Sequence, residues 1–507
     1  MNFIHEAFDA WLARDAERLF LYLPERELNF RELGVMVDAL EQELRDDGMG
    51  SGDRLLVVAE NCPEHVALVL ACSRVGVWSC GVNARMAPGE IAGFAAKADA
   101  RRIYFTASVS DAAQRHAVRY DSTKAVVPGL WRSARREQAV TEPGELADRV
   151  AAIIFTSGTT GVPKGVMVTH EGLMHFGRVS AESRALGRSD RSYAYLPLTH
   201  IFGLGTVLMA SLHAGAGLVM RTQFDAADAF DALARHQVSQ LQGPPTLFSR
   251  LLAYCDDHAI ARPAAPHLRY LYTGAGPLDA NLKQQVEARF GLPLHHGYGL
   301  SEYAGSVHAT ALGAHRDDTS AGSRFEGAES RIVAPDGASL PPGERGEIWI
   351  RGRGLMAGYF RDAAATTQVM RPDGWYASGD LGVLDADGAL FVTGRLKEMI
   401  IRSGFNVYPG EIEMALRGFD AIRDAAVVGQ PGSHGNEEVL AFVTLAPGHT
   451  LDRAALDAWL RDRLAPYKRP TAIHVVKVFP MTHSGKVIKR ELLAALGTQP
   501  SPAPPTP

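Results

Sequence analysis

Between residues 156 and 165 the chain reads TSGTTGVPKG, a run whose side chains and backbone could together hold a polyphosphate. Gly158 and Gly161 free the backbone to turn N–H groups inward, Ser157, Thr159 and Thr160 add hydroxyl donors, and Lys164 adds a point charge. The P-loop of nucleoside triphosphatases needs four residues between two glycines, then lysine followed by serine or threonine. Here only Thr159 and Thr160 separate Gly158 from Gly161, Lys164 precedes Gly165, and Pro163 would obstruct the helix that a P-loop opens. The spacing therefore predicts a phosphate loop of another kind.

The apolar run Ala151 to Phe155 precedes this loop and reads as a buried strand, so the loop leaves the end of a sheet strand, where α/β folds bind ligands. Up to about residue 320, helical stretches such as PEHVALVLACSRVG (63–76) alternate with short apolar strands, DRLLVVAE (53–60), WSCGVN (78–83), GAGLVM (215–220) and YLYTGAG (270–276). That alternation predicts parallel sheets. From about Arg324 to Gly394 the texture turns to short β-prone runs punctuated by the hairpin signals Asp336-Gly337, Asp373-Gly374 and Asp387-Gly388, which predicts a small antiparallel or barrel subdomain. Beyond Gly394, two helical patterns (410–419 and 451–464) and three strand-like runs (425–430, 440–447 and 474–479) describe a separate domain of about a hundred residues. The proline-rich end, residues 496–507, is expected to be disordered.

A chain of 507 residues exceeds what one hydrophobic core usually supports, so more than one domain is expected. Its 46% hydrophobic and 21% charged residues describe a soluble globular protein, and a net charge of −5 gives no sign of nucleic acid as a partner. Cys62, Cys72, Cys80 and Cys255 show no metal-ligand spacing and no disulfide framework, and the first twenty residues lack the apolar core of a signal peptide. A cytoplasmic location is the expectation. No Asp, Glu, Lys or Arg occurs from Ser192 to Met220, but Pro197 and four glycines interrupt that stretch, so a core helix and strand are expected there rather than a membrane span. Residues 461 to 490 hold eight Lys or Arg against one acid, Asp462, a basic surface that could attract a polyanion.

Seven motifs now stand in order along the chain: TSGTTGVPKG, LPLTHIFGL (196–204), YTGAGPL (272–278), GYGLSE (297–302), YASGD (376–380), GRLKEMIIRSGFNVYPGEIE (394–413) and PMTHSGKVIKR (480–490). As a set, covering nearly the whole chain, they resemble the adenylate-forming superfamily of acyl-CoA synthetases, peptide-synthetase adenylation domains and luciferases. The resemblance implies an α/β fold: a large N-terminal domain (1–394) of two αβαβα-type subdomains plus a β-barrel subdomain at about 324–394, a hinge at 395–397, and a small mobile α+β C-terminal domain (398–495). It implies binding of ATP or AMP by Thr156, Ser157, Gly158, Thr160 and Gly161, by the backbone of Gly274, Ala275 and Gly276 at the adenine edge, and by Gly297, Tyr298, Gly299 and Ser301. Asp380 would accept from the ribose hydroxyls and Arg395 would add a ribose or phosphate contact. Glu302, a hard oxygen ligand, would hold Mg²⁺ together with Thr160. Two departures stand out: Ser301 where the family usually has threonine, and Ala275 between glycines that the family more often places side by side.

The chemistry implied is a carboxylate attacking the α-phosphorus of ATP, followed by a thiol attacking the acyl-adenylate. The carboxylate is already ionised at pH 7, so the first step asks for positioned cations and N–H donors rather than a base. Lys486 would bridge the carboxylate and α-phosphate, with Thr159, Lys164, Glu302 and His200 completing the catalytic set. Lys397 falls at the hinge position, Gly404 and Phe405 at the CoA tunnel, and His200 at the gate between that tunnel and the acyl site. Ile201, Phe202, Phe248, Gly274, Ala304 and Gly305 would form the acyl pocket; they are apolar or small and show no fixed charge, which favours an apolar aliphatic or aryl acid.

The function expected is an ATP-dependent carboxylate:CoA ligase. Two others remain open: a stand-alone adenylation enzyme loading a carrier-protein phosphopantetheine, and a non-catalytic nucleotide-binding protein. With no carrier domain after residue 495, free CoA is favoured over a carrier protein. The segment around Lys486 also resembles the lysine-acetylation targets of this family, which adds a regulatory lysine acetyltransferase as a candidate partner.

Overall fold

In a computed structural model, which describes residues 2–156, 163–402, 405–431, 437–481 and 487–497, the chain divides into two compact units. The first comprises Met1–Leu278, Leu282–Ser330 and Ile350–Ala377, and the second Asp279–Asn281, Arg331–Trp349 and Ser378–Pro507. This division falls earlier than the boundary expected at 394. Ser157, Gly158, Thr159, Thr160, Gly161, Gly404 and Lys486 lie outside the described residues.

Two sheets carry the first unit. In the seven-stranded sheet, Arg102–Phe105, Arg54–Ala59, Trp78–Asn83 and Val150–Thr156 lie side by side in parallel, as the strand and helix alternation predicts. Arg54–Ala59 is buried at every position, the pattern of a strand covered on both faces. The helix Pro63–Val75 that follows opens on proline and closes on Gly76 at φ 79°, where a left-handed residue ends a helix cheaply. The strand Val150–Thr156 is followed by an antiparallel return, Lys164–Thr169, with Thr156 opposite Lys164. A strand therefore follows the TSGTTGVPKG segment where a P-loop would open a helix.

In the nine-stranded sheet, Arg191–Ala194, Gln240–Gly243, Tyr270–Thr273 and Leu294–Leu300 are neighbours in that order, all parallel. Their carboxyl ends carry, respectively, the LPLTHIFGL, Gly243-Pro244-Pro245, Gly274-Ala275-Gly276 and GYGLSE segments, which brings three of the motifs to one edge of one sheet. The charge-free stretch from Ser192 to Met220 resolves into a strand, a π-helix over Phe202–Met209, a short α-helix Ala210–Ala214 and the strand Gly217–Met220. Every residue of the π-helix is buried. Among the described residues no helix is long and apolar enough to cross a membrane.

In the region read as a barrel or antiparallel subdomain, Ala328–Val333, Gly346–Gly352, Tyr376–Leu384 and Leu390–Arg395 form a four-stranded sheet in that order. All three Asp-Gly pairs sit at turns, with φ of 90°, 82° and 81° at Gly337, Gly374 and Gly388. Further along, Ile422–Pro431, Glu437–Leu445 and Ala472–Val475 make a three-stranded sheet, antiparallel then parallel, packed with the helices Pro409–Arg417 and Arg453–Arg463 around Val427, Ala441 and Leu456. The last helix, Lys489–Gly497, takes in the first two residues of the segment expected to be disordered, because Leu492 is buried against Phe442 and Phe479 and anchors its apolar face.

Candidate active site

In the first unit the phosphate-loop strand and the GYGLSE turn are tied together by a segment that sequence reasoning passed over. Residues 356–360 run beside the strand Lys164–Thr169: the Phe360 N–H donates to the Gly165 carbonyl at 2.8 Å, Met167 N–H to Gly358 at 3.0 Å, and Ala357 N–H to Met167 at 2.9 Å. The same segment reaches the turn Ser301–Tyr303 through the Met356 N–H, which donates to the Glu302 carbonyl at 2.9 Å. Three stretches far apart in sequence thus meet around Tyr359. Its hydroxyl donates to Glu302 Oε1 at 2.9 Å and lies 3.4 Å from the Tyr376 hydroxyl. The Lys164 ammonium stands 4.4 Å from the centroid of its ring.

Burial, followed by the nearby Glu302 carboxylate, pushes both tyrosine hydroxyls well above their ordinary pKa, so both stay protonated as donors. Glu302 Oε2 takes no hydrogen bond from the described residues, and no carboxylate pairs with Lys164 among them. The site thus presents one cation and one carboxylate oxygen beside the strand that follows the segment read as a phosphate loop. No group of three or more acidic, His or Cys side chains among the described residues could cage a metal alone. That suits Mg²⁺, which commonly takes one or two protein carboxylates plus substrate phosphates.

The adenine edge expected at 274–276 follows Thr273 at the end of its strand, and Ala275 adopts φ 63°, left-handed, where alanine is the smallest side chain that carries the strain. At Gly297 an added Cβ would lie 2.1 Å from the Tyr272 hydroxyl and 2.8 Å from the His308 carbonyl, so protein packing alone demands glycine there. Tyr298 and Ser301 are buried. His200 accepts the Phe202 N–H on Nδ1 at 3.1 Å, which in a neutral ring leaves the proton on Nε2.

Of the expected acyl-pocket residues, Ile201, Phe202 and Ala304 belong to one core cluster with Tyr272, and the Phe202 ring meets Tyr272 edge-on at 6.0 Å. An added Cβ on Gly305 would strike the Phe176 ring, and one on Gly274 would sit 3.4 Å from Tyr272. Phe248, wholly buried, packs instead in the other core with Leu247 and Leu251. Sequence reasoning located no fixed charge in this region, but Arg184 is buried beside Tyr272 and Thr206. An isolated arginine at a helix end gives no sequence signal.

In the second unit, Asp380 faces Arg395 across the antiparallel strands, and Arg395 Nε donates to Asp380 Oδ1 at 2.9 Å. Gly379, inside the strand Tyr376–Leu384, takes φ 73° just before Asp380, its N–H donating to Glu347 Oε1 at 2.9 Å. Lys397 is exposed on the short turn Leu396–Glu398. Phe405 pairs by its backbone with Arg402. Lys489 Nζ donates to Glu398 at 2.6 Å and is 2.9 Å from Glu413, while Met481 and Val487 pair on either side of the segment that contains Lys486.

Fold and site define a protein of the α/β class in two compact units, with a lysine, a carboxylate and two buried tyrosines brought together in the first. Residues 8–360 match the family of AMP-binding enzymes and residues 411–486 match the AMP-binding enzyme C-terminal domain. The chain belongs to the AMP-binding enzyme family. It is 34% identical over 480 residues to the feruloyl-CoA synthase of an Amycolatopsis species, covering 93% of this chain and 94% of that one. It is 32% identical to the sulfoacetate–CoA ligase of Cupriavidus necator, covering 92% of each. Among solved structures it is similar to the o-succinylbenzoate coenzyme A synthetase of Bacillus subtilis in complex with ATP and magnesium ion, with a TM-score of 0.82, 26% identity, and coverage of 96% and 99%.

Proposed function

We propose that this chain is an ATP-dependent carboxylate:CoA ligase that forms an acyl-adenylate and then an acyl-CoA thioester, acting on an aryl or small carboxylic acid. The observation that carries this reading is the meeting of Lys164, Tyr359, Glu302 and Tyr376 beside the phosphate-loop strand in a chain that matches both parts of the family. Lys164 would stabilise the charge that gathers on departing pyrophosphate, and Tyr359 would orient the Glu302 carboxylate. Mg²⁺, held by Glu302 and the phosphates, would supply further charge neutralisation. Asp380 and Arg395 would hold the ribose, and Lys486 the carboxylate against the α-phosphate. Thr159 and Thr160 would serve the phosphates, Lys397 the hinge, and Gly404, Phe405 and His200 the path of the thiol.

Relatives named for feruloyl-CoA and for sulfoacetate support CoA as the acceptor and leave the acid to this chain's own pocket. The deciding experiment supplies ATP, Mg²⁺ and a panel of aryl and short-chain acids, with either CoA or a phosphopantetheinylated carrier protein. Thioester on CoA with stoichiometric AMP and pyrophosphate is expected. Thioester on the carrier alone, or ATP binding with no turnover on any acid, would replace the reading.

A further inference from the structure

Asn61 stands two residues beyond the strand Arg54–Ala59 of the seven-stranded sheet and just before Cys62, where the helix Pro63–Val75 opens, so its backbone is held from both sides. It is 4% exposed, and its side chain reaches the other sheet. There Nδ2 donates to the Leu196 carbonyl at 2.9 Å and, more loosely, to the Ala194 carbonyl at 3.4 Å, while Oδ1 accepts the Leu198 N–H at 2.9 Å. One amide thus supplies donor and acceptor together, as a peptide unit of a neighbouring strand would, to the segment that leaves the strand Arg191–Ala194.

An asparagine that only needed its own polar atoms satisfied could turn back on nearby backbone. This one bonds a stretch 133 to 137 residues later in the chain, leading into the LPLTHIFGL motif. From there the constraint runs to His200 through backbone. The His200 N–H donates to the Pro197 carbonyl at 3.0 Å, and the Leu204 N–H to the His200 carbonyl at 3.0 Å. Gly203 lies against the same turn: an added Cβ would sit 2.2 Å from the Pro197 oxygen and 2.6 Å from the Leu196 oxygen, the one that accepts from Asn61. A second contact from the seven-stranded sheet bears on Thr199. At Gly81, which pairs with Val57, an added Cβ would fall 3.1 Å from Thr199 Cα and 3.2 Å from its Cγ2. Asn61 and Gly81 therefore constrain the loop before His200 at two separate points.

We infer that Asn61 is a positioning residue for the thioester step, holding the loop 196–200 so that His200 stays on the path of the thiol. This rests on the ligase reading. In that step the CoA sulfur bonds the acyl carbon, the bond from that carbon to the AMP oxygen breaks, and the thiol proton passes to water. Asn61 enters none of these bond changes. Its removal leaves the Leu196 carbonyl and the Leu198 N–H, both of buried residues, without this partner, and lets the loop shift. Lys164, Glu302 and Tyr359, which serve adenylation, stand on other segments, so the first step is disturbed less.

The test uses the full chain with ATP, Mg²⁺ and an acid that it accepts. Adenylation is read by pyrophosphate exchange, and the thioester step as the single-turnover rate of acyl-CoA formation from adenylate made on the enzyme. Their ratio does not depend on how much of a variant is folded. Asn61→Ala is expected to slow the thioester step by about tenfold to a hundredfold while adenylation changes by about threefold or less. Asn61→Asp, which keeps the acceptor for Leu198 but sets oxygen against the Leu196 carbonyl, should fall as far. Gly81→Ala, which presses on Thr199, should move the ratio the same way by roughly threefold to tenfold. In His200→Ala, adding Asn61→Ala should cost little more, because both act through one side chain. Equal loss in both steps, an unchanged ratio, or independent losses in the double variant overturns the inference. If the Asn61 variants do not fold, Gly81→Ala decides, and an unchanged ratio there is equally fatal. Should the wild type yield no acyl-CoA with any acid, the ligase reading has failed, and hydrogen exchange judges the clamp separately. Protection lost at the His200 and Leu204 amides in Asn61→Ala, with both sheets unchanged, supports it, and unchanged protection removes it.

Discussion

Around Glu302 the first unit holds its polar groups inside packed structure, where Tyr359 and Tyr376 are buried and a strand-like segment binds the Lys164 strand to the Glu302 turn. The second unit presents its counterpart nearer the surface: Asp380 and Arg395 meet across two strands with the arginine side chain 48% and the aspartate 14% exposed, and Lys397 stands exposed on the next turn. A buried hydrogen bond to a carboxylate keeps its geometry when nothing is bound, because leaving either partner unsatisfied is costly. An ion pair with one partner half-exposed is less confined, and its arginine can exchange the carboxylate for water or ligand hydroxyls. The first arrangement suits charge that must be in place before reaction, and the second suits a ligand contact that is made and released in each cycle.

The strongest challenge to this contrast is Lys486, a single group from the second part of the chain to which the first chemical step is assigned. Lys486→Ala is expected to lower adenylation, read by pyrophosphate exchange, by roughly a thousandfold or more, while thioester formation from supplied acyl-adenylate survives. Equal loss of both steps would mean that the lysine does not serve the first step alone.

Within the first unit, Glu302→Gln is expected to cost about a hundredfold to a thousandfold in adenylation and to weaken the dependence on Mg²⁺. Tyr359→Phe removes the donor to Glu302 together with the 3.4 Å contact to the Tyr376 hydroxyl and should cost roughly tenfold to a hundredfold with the fold intact. If Tyr359→Phe proves neutral, the buried constellation is packing and not preorganisation. In the second unit, Asp380→Ala should raise the KM for ATP by about tenfold with kcat changed less, as a contact that binds the nucleotide without entering the chemistry would. A fall in kcat alone would move Asp380 from binding to chemistry.

The same contrast explains what the sequence could disclose. Motifs that act through backbone and local turns were legible: the glycines of YTGAG and GYGLSE, the Asp-Gly hairpins, and the absence of a P-loop helix after Pro163, where a strand begins at Lys164. Tyr359 was not, since a Gly-Tyr pair is common and its meaning comes from pairing with a strand about 190 residues earlier in the chain. The π-helix after His200 escaped for a similar reason, because an all-apolar run carries no period by which to tell one helix from another. Arg184 escaped because charge is read from sequence as surface, whereas its side chain is buried and bonded to Gln242 and the Thr206 carbonyl.

The smallest effect on turnover, and the one that separates the two units by stability, should come from acid. His65, His170 and His308, all in the first unit, are held neutral by burial, each with its pKa drawn down to about 4. His308 is fixed between the Gly322 carbonyl at 2.8 Å and the Ser330 hydroxyl at 2.8 Å, and His170 accepts the Ile4 N–H at 3.3 Å. A histidine with a lowered native pKa binds fewer protons folded than unfolded, so its contribution is fully present above the unfolded value of about 6.5 and is lost as pH falls towards 4. Each such group can remove on the order of 3 kcal/mol across that window. In the second unit burial also lowers the pKa of His474, but that ring is far less enclosed and contributes less. Hydrogen exchange compared at pH 7 and pH 5 should therefore show protection falling first in the elements around Pro63–Val75, His170–Ser183 and Gly305–Ala309, with the sheet of Ile422–Pro431 and Glu437–Leu445 holding. Simultaneous loss in both units would place the acid-sensitive groups elsewhere, and His308→Asn, which cannot charge, should narrow the difference if these histidines are its source.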